Sequence, residues 1–341
     1  MTEPIPHPAD FWESLDDGRI KCTLCPRYCK LREEHRGFCF VRQNQGGKLV
    51  LTTYGRTSGF AIDPVEKKPL YHFYPGSTIL SFGTAGCNLG CRFCQNWDLS
   101  KSRSMDRMTA SASPGAIAQS ARKNGCRSVA FTYNEPIIFA EYAIEICRAC
   151  RELDVRTVAV TSGYITGDAR PDFFAGIDGA NVDLKSFSEQ FYRDFCAGHL
   201  QPVLDTLIYL KKETDVWLEI TNLIIPGAND SEAELHSLTE WIVTELGPDV
   251  PLHFSAYHPD FKLTDRRSTS LETLHLARDI ALSKGIKFVY TGNVHDSAGS
   301  TTLCPACGAV LIERDWYRLG TCKIKKGLCE ECGEKVPGRF E

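Results

Sequence analysis

Six short runs between residues 77 and 297 are apolar on both parities: TILSFG (78–83), RSVAFT (127–132), RTVAVT (156–161), ANVDLK (180–185), VWLEIT (216–221) and LHFSA (252–256). A strand with one wet face alternates apolar and polar residues, so runs without alternation predict strands covered on both faces. Helical patterns separate them. One opens at Ser113-Pro114, an N-cap followed by proline at the first helical position, and others cover about 137–151, 188–212, 231–246 and 271–284. Regular βα alternation predicts a parallel sheet with helices outside. The expected fold is α/β, a partial parallel (β/α)6 barrel, with IKFVY (286–290) as a candidate seventh strand. A doubly wound open sheet would show the same periodicity, because periodicity does not report closure.

The flanks read differently. Residues 1–50 form a cysteine-rich, locally basic segment, 51–76 a connector, 77–297 the barrel and 298–341 a cysteine-paired tail. The prolines and charges between Asp63 and Phe73 predict a loop-rich connector close to the mouth of the first strand. With 43% hydrophobic and 24% charged residues, the 341-residue chain has the composition of a globular protein. No apolar run approaches the roughly 18 residues of a membrane span. The first residues lack the basic start and apolar stretch of a secretory signal, which predicts a cytoplasmic protein. A net charge of -4, and a tail with seven Lys/Arg against six Asp/Glu, disfavour a nucleic-acid partner.

Cysteine changes the picture. Eleven of the 16 cysteines fall into three tight clusters, and in a chain without a secretory leader this predicts thiolate metal sites over disulfides. Cys87, Cys91 and Cys94 follow the first strand directly, at C-x3-C-x2-C spacing. Three thiolates on one loop can hold three irons of a [4Fe-4S] cubane and leave the fourth iron open to a ligand. Cys304, Cys307, Cys329 and Cys332 make two C-x2-C-G knuckles, the pattern of a zinc ribbon or a rubredoxin-like iron site. Cys22, Cys25, Cys29 and Cys39 supply another four thiolates, for zinc or a second iron–sulfur cluster. Of the remaining five, Cys147 and Cys150 sit at helical spacing and read as small buried hydrophobes.

The strand ends carry ligand-type residues at nearly every exit: Thr132 to Pro136, Thr161 to Tyr164, Asp183 to Lys185, Pro226 to Asp230 and Tyr257-His258. Together with the loop from Gly83 to Trp97, they resemble the radical S-adenosylmethionine (SAM) superfamily, down to the aromatic Phe93 before the third cysteine. The resemblance implies that SAM binds the open iron and is cleaved reductively to a 5′-deoxyadenosyl radical, which abstracts a hydrogen atom. It also implies a cofactor-binding role for Phe93, for Asn134 and Glu135 toward the SAM amino group, and for Ser162 and Gly163 near the methionine moiety. Asp183 and Lys185 resemble the acid and lysine pair of glycyl-radical-enzyme (pyruvate formate-lyase) activating enzymes. Ile225-Pro226-Gly227 resembles the adenine-side segment, and His258 a histidine near the nucleoside. Val160 departs from the pattern, standing where those activases tend to carry a cation-binding aspartate. Read from the residues alone, Asp183 and Lys185 also fit a plain salt bridge, and His258 an ordinary rim histidine.

The wider pattern narrows the resemblance. Cys22 to Cys29, Glu66 to Phe73, Cys94 to Trp97, Phe131 to Pro136, His253 to Lys262 and Tyr290 to Asn293 resemble the AmmeMemoRadiSam-system radical SAM enzymes. That implies an oxidoreductase with activase-like chemistry, a low-potential donor such as flavodoxin or ferredoxin, and a protein substrate or Memo-like and AMMECR-like partners. The alternatives are modification of a small molecule and a non-catalytic iron–sulfur electron carrier. The sequence names no general acid, base or substrate.

Overall fold

The computed structural model describes residues 7–102 and 110–341. The first six residues of the N-terminal segment lie outside that range. A single eight-stranded sheet carries the fold, its strands in sequence order. Strand β1 (Phe60–Pro64) runs antiparallel to β2 (Thr78–Phe82). Then β3 (Ser128–Phe131), β4 (Arg156–Thr161), β5 (Gly179–Asp183), β6 (Trp217–Ile224), β7 (Leu252–Ala256) and β8 (Val289–Gly292) each run parallel to the strand before. β1 and β8 are the two edges and do not pair, so the barrel is partial. The seventh parallel strand exists, displaced from 286–290 to Val289–Gly292. The connector is more than loop, since it supplies β1.

Among the described residues, six helices of eight residues or more cross over the outside: α1 (Pro114–Lys123), α2 (Ala140–Glu152), α3 (Glu189–Cys196), α4 (Gln201–Glu213), α5 (Glu232–Leu246) and α6 (Leu271–Ser283). Ser113 caps α1 as expected, its side chain accepting from the Ala116 amide. The pattern over 188–212 is two helices, not one. Ala197 takes a left-handed conformation (φ 50°) and Pro202 follows in the first turn of α4, which breaks the hydrogen-bond ladder.

Both faces of the sheet are dry, for different reasons. Leu80, Val129, Ala159 and Ala180 pack outward in the main core under the helices. Ile79, Ala130 and Val158 point inward and pack on Val65, Leu70 and Phe73 of the connector. The connector is thus a plug filling the barrel interior. Gly179 allows it in: a Cβ there would meet the Phe73 ring at 2.9 Å. Polar groups tie it down, with Asn181 donating to the Pro69 carbonyl and Glu219 accepting from the Tyr71 and His72 amides.

The flanking segments are docked on this frame. In the head, Arg42 forms a bidentate pair with Glu141 of α2 at 2.8 and 2.9 Å, with both side chains buried. The tail shares a core with Tyr71, Phe288 and Tyr290. A hydrogen-bonded chain joins it to the plug: Arg314 donates to Thr302, and Tyr290 lies between the Thr302 hydroxyl (2.8 Å) and His72 Nε2 (2.6 Å). His72 Nδ1 donates to the Pro337 carbonyl at 2.7 Å, so the neutral tautomer protonated at Nδ1 satisfies every partner. No helix among the described residues is long and apolar enough to cross a membrane.

Two predictions test this frame. Glu141→Ala leaves the Arg42 guanidinium buried without its counter-charge and should lower the unfolding free energy by about 3–5 kcal/mol in denaturant titrations. Burial also holds the His72 imidazole down to about 4, against the pull of the Glu219 carboxylate. Between that value and the roughly 6.5 of an unfolded histidine, the unfolded chain binds the extra proton. Stability should therefore fall as pH drops from about 6.5 toward 4, by up to about 3 kcal/mol. His72→Gln should flatten this slope, and an equally steep slope in the variant would exclude His72 as its source.

Candidate metal and cofactor site

The loop after β2 is held from three sides. Gly83 sits against the exit of β3, where a Cβ would come within 2.5 Å of the Thr132 carbonyl oxygen. Asn134 clamps the next turn: its Oδ1 accepts from the Thr84 amide at 2.9 Å, and its Nδ2 donates to the Gly86 carbonyl at 2.9 Å and Thr84 Oγ1 at 3.1 Å. The C-terminal end of α3 supplies free carbonyls, Cys196 accepting from the Gly90 amide at 2.7 Å and Phe195 from Arg92 at 2.8 Å. The break between α3 and α4 therefore has a use: it leaves carbonyls for the cysteine loop to take.

Cys87, Cys91 and Cys94 open together onto a cavity of about 380 Å³ at the C-terminal ends of the parallel strands. Every parallel strand contributes to its wall, from Glu135 after β3 and Ser162 after β4 to Lys185 after β5, Leu223 of β6, Ser255 of β7 and Asn293 after β8. This is the end of the sheet where α/β folds place ligands.

The polar groups in the cavity have defined states. Glu135 is buried and accepts from the Ser162 amide and hydroxyl, the Thr161 hydroxyl and the Ile137 amide. Burial pushes its carboxyl upward while these donors pull it back. The Lys185 ammonium lies 3.2 Å from Asp183 Oδ2. Burial works against its charge, but Asp183 and the Cys91 sulfur outweigh it and raise the lysine well above its ordinary value. Cys91 moves the other way from Cys87. The Cys196 thiol donates to it, with Lys185 and Lys101 nearby, so its pKa falls, whereas burial pushes Cys87 up to about 12. A thiolate nearest the lysines suits a metal ligand.

Of the residues expected here, Phe93, Asn134, Glu135, Ser162, Asp183 and Lys185 share this wall. Asn134 spends its amide on the cysteine loop. Gly163 lies behind the wall in a left-handed turn (φ 66°), with its carbonyl held by Thr206. His258 is exposed, and neither it nor Ile225-Pro226-Gly227 belongs to the lining. Val160 does belong to it and brings no carboxylate. Lys67, Lys68 and Pro69 of the plug, Tyr133 after β3, and Tyr317 of the tail also line the wall; sequence reasoning puts the connector near the mouth and Tyr133 in a ligand-type turn, but misses Tyr317. Most reach the site by long-range docking, which leaves no local pattern. Tyr133, next to Asn134, holds φ at 70°, a strained value that backbone geometry alone reveals.

The flanking tetrads differ in scale. Cys304, Cys307, Cys329 and Cys332 bring all four sulfurs within 4.8 Å of one another, with Cys304–Cys332 at 3.6 Å and Cys307–Cys329 at 3.9 Å. Zn–S bonds of about 2.3 Å in a tetrahedron put sulfurs about 3.8 Å apart, so the donor set fits one such ion. Among the described residues no other group of three or more His, Cys, Asp or Glu side chains closes to that range. Cys22, Cys25, Cys29 and Cys39 are neighbours outside that group, and so are Cys87, Cys91 and Cys94. For the triplet this is the expected result, because in a cubane each thiolate binds a different iron.

A seven-stranded parallel partial barrel with three cysteines on its first loop defines a class, and the comparisons agree. The model of the radical SAM superfamily matches residues 82–238. Those residues, which hold the cysteine triplet and the strands β3 to β6, belong to that superfamily. The chain is 40% identical over 330 residues to the uncharacterized protein MJ0808 of Methanocaldococcus jannaschii, covering 96% of this chain and 98% of that one. It is 22% identical over 244 residues to the pyruvate formate-lyase 1-activating enzyme of Escherichia coli, covering 63% of this chain and 93% of the enzyme. Among solved structures, a radical SAM methyltransferase from Sphaerobacter thermophilus shares the fold, with a TM-score of 0.51 at 18% identity over 70% of this chain and 71% of that one.

Gly86 tests how tightly the loop is specified. Its φ is +85°, and a Cβ would come within 2.0 Å of the Cys39 carbonyl oxygen. Gly86→Ala should cost about 2–4 kcal/mol of stability, combining left-handed strain with a backbone clash. A thermal or denaturant midpoint within error of wild type would show that this contact gives way easily.

Proposed function

We propose that this protein is a radical SAM oxidoreductase with activase-like chemistry, in which Cys87, Cys91 and Cys94 hold a [4Fe-4S] cluster and SAM occupies the adjoining cavity. One observation carries the reading: three thiols on one loop open onto a cavity walled by all seven parallel strands. When bound, the cluster and SAM supply reductive cleavage to a 5′-deoxyadenosyl radical, which abstracts a hydrogen atom from substrate. The chain's own residues bind and orient. Lys185, charged and buried beside Asp183, is placed to meet a carboxylate, and Glu135 with Ser162 to meet an ammonium group. Phe93, 3% exposed against Phe191, excludes water behind the loop. Gly163 keeps the turn after β4 tight, while His258 would have to swing inward to touch a nucleoside.

In this reading the tail tetrad holds a structural zinc, or iron in a rubredoxin-like site, and keeps Tyr317 in the cavity wall. The cytoplasm and a flavodoxin or ferredoxin donor suit such chemistry. The similarity to activating enzymes supports a macromolecular substrate. A second reading, a small-molecule substrate with Memo-like and AMMECR-like partners as in the AmmeMemoRadiSam system, draws on the plug and Tyr317, which narrow the cavity with charged and aromatic groups.

The test is anaerobic reconstitution with iron and sulfide, reduction with dithionite, and chromatography for 5′-deoxyadenosine. Wild type should form it from SAM, and Cys91→Ala should form none. Cluster-loaded, reduced wild type that leaves SAM intact would overturn the proposal.

A further inference from the structure

Beside the cavity of the cysteine triplet lies a second, smaller hollow of about 60 Å³, enclosed by the plug, the ends of β7 and β8 and the tail. The two adjoin, sharing walls at Lys67, Pro69, Ser255, Asn293 and Tyr317. Segments far apart in sequence build the hollow. The plug supplies Glu66 and Tyr71, and the tail supplies Trp316 and Tyr317 from the turn between the paired strands Val310–Asp315 and Arg318–Cys322. Trp316 holds a left-handed conformation (φ 54°) in that turn, and both rings remain exposed, outside the tail core. At the end of β8 the wall is Gly292, where a Cβ would meet Ser255 Oγ at 2.9 Å. A volume of this size takes a small polar group.

Glu66 is the odd group in this wall. It is 1% exposed, and its Oε1 accepts from the Gly76 amide at 2.8 Å. Its Oε2 is buried too and has no partner among the described residues. The basic groups beside it are engaged elsewhere. Lys67 pairs with Asp63 at 2.9 Å, and Lys68 with the same carboxylate at 2.7 Å. Arg314 acts on Glu66 from over the Tyr71 ring, but it donates to Thr302 and to the carbonyls of Ser300 and Tyr71. Burial pushes the Glu66 carboxyl up, Arg314 and the Gly76 amide pull it back, and Glu219 adds a further negative charge nearby. Asp296, the other carboxylate of the wall, is satisfied by His275, Thr291 and the Gly299 amide. The hollow therefore offers one open carboxylate oxygen, in negative surroundings, beside two exposed aromatic rings.

We infer that this hollow is a substrate subsite, and that it receives an ammonium group of the substrate between the Glu66 carboxylate and the rings of Trp316 and Tyr317. The inference rests on the reading of the adjoining cavity proposed above and names the class of substrate, an amine. An ammonium brings N–H donors to Oε2 and a charge opposite to that of Glu66, and aromatic faces hold cations. An apolar group would leave Oε2 buried and unpaired, and an anion would add a like charge to those of Glu66 and Asp296. The place in the sheet fits a second ligand. Glu135 and Ser162, positioned to meet the ammonium of SAM, follow β3 and β4, whereas this hollow lies at β7 and β8, toward the other edge. The tail then serves recognition as well as folding, because its cysteine knuckles flank the hairpin that carries both rings.

The test is saturation-transfer NMR on the full-length protein, reconstituted anaerobically and left oxidised, with ethylammonium chloride as the probe. Wild type should bind it with a dissociation constant of about 1 mM, near the ceiling for so small a ligand. Acetate and ethanol at the same concentration should show no transfer. Glu66→Gln keeps an acceptor for the Gly76 amide and removes the charge, and should weaken ethylammonium binding by about tenfold or more. Trp316→Leu, at an exposed ring, should weaken it by about threefold with Glu66 intact. Saturating SAM should leave the signal in place. Loss of the signal to SAM would put the amine at Glu135 and Ser162, and an unchanged signal in Glu66→Gln would put it elsewhere on the protein. Either result overturns the inference, as does acetate binding as tightly as ethylammonium. Nα-acetyl-lysine methylamide separates the sources of the ammonium: tighter binding than ethylammonium upholds the subsite for a lysine side chain of a protein, weaker binding for a free amine. Cleavage of SAM enters neither probe nor readout, so failure of the radical SAM reading would leave the ethylammonium result standing.

Discussion

Three sulfurs must meet at the mouth of a barrel from one short loop, and much of the neighbouring structure follows from that demand. A loop that turns this tightly cannot satisfy its own backbone, so its amides and carbonyls must find partners elsewhere. Asn134 takes the first turn, the carbonyls at the end of α3 take the middle, and Arg27 of the head takes the Asn88 carbonyl. Gly83 and Gly86 remain side-chain-free because neighbouring backbone occupies the space where a Cβ would stand. The break after α3 belongs to the same constraint, since a continuous helix would have used the carbonyls the loop needs.

The barrel interior shows a second dependence. An open parallel barrel leaves inward-facing apolar residues that its helices cannot cover. Val65, Leu70 and Phe73 cover Ile79, Ala130 and Val158. The polar backbone of the plug is satisfied by Asn181 and Glu219, and the tail is tied on through His72, Tyr290, Thr302 and Arg314. Plug and tail therefore serve the site twice over: they fill the interior from below and present Lys67, Lys68 and Tyr317 to the cavity.

Three cysteine clusters in one chain divide by spacing into two kinds. The tail's sulfurs meet at the scale of one ion, and the triplet and the head tetrad do not. Ligand spacing along the chain could not reveal this, because C-x2-C and C-x3-C steps occur in both kinds of site.

The sequence by itself determined the strand positions, the βα alternation, most helix positions and the place of the cysteine triplet. These depend on local periodicity, caps and spacing, which a chain carries in its own residues. Glu135, Ser162, Asp183 and Lys185 were legible for the same reason, as polar residues at the exits of recognisable strands. The split of 188–212 into two helices was less visible, since Ala197 looks helical until its carbonyl is needed elsewhere. Only the tertiary structure decided that the connector fills the barrel, that the tail reaches the cavity, that His258 stays outside it and that the head tetrad lies against Gly86. Those outcomes depend on which distant surfaces can pack without clash or orphaned polar groups. No stretch of sequence encodes that alone.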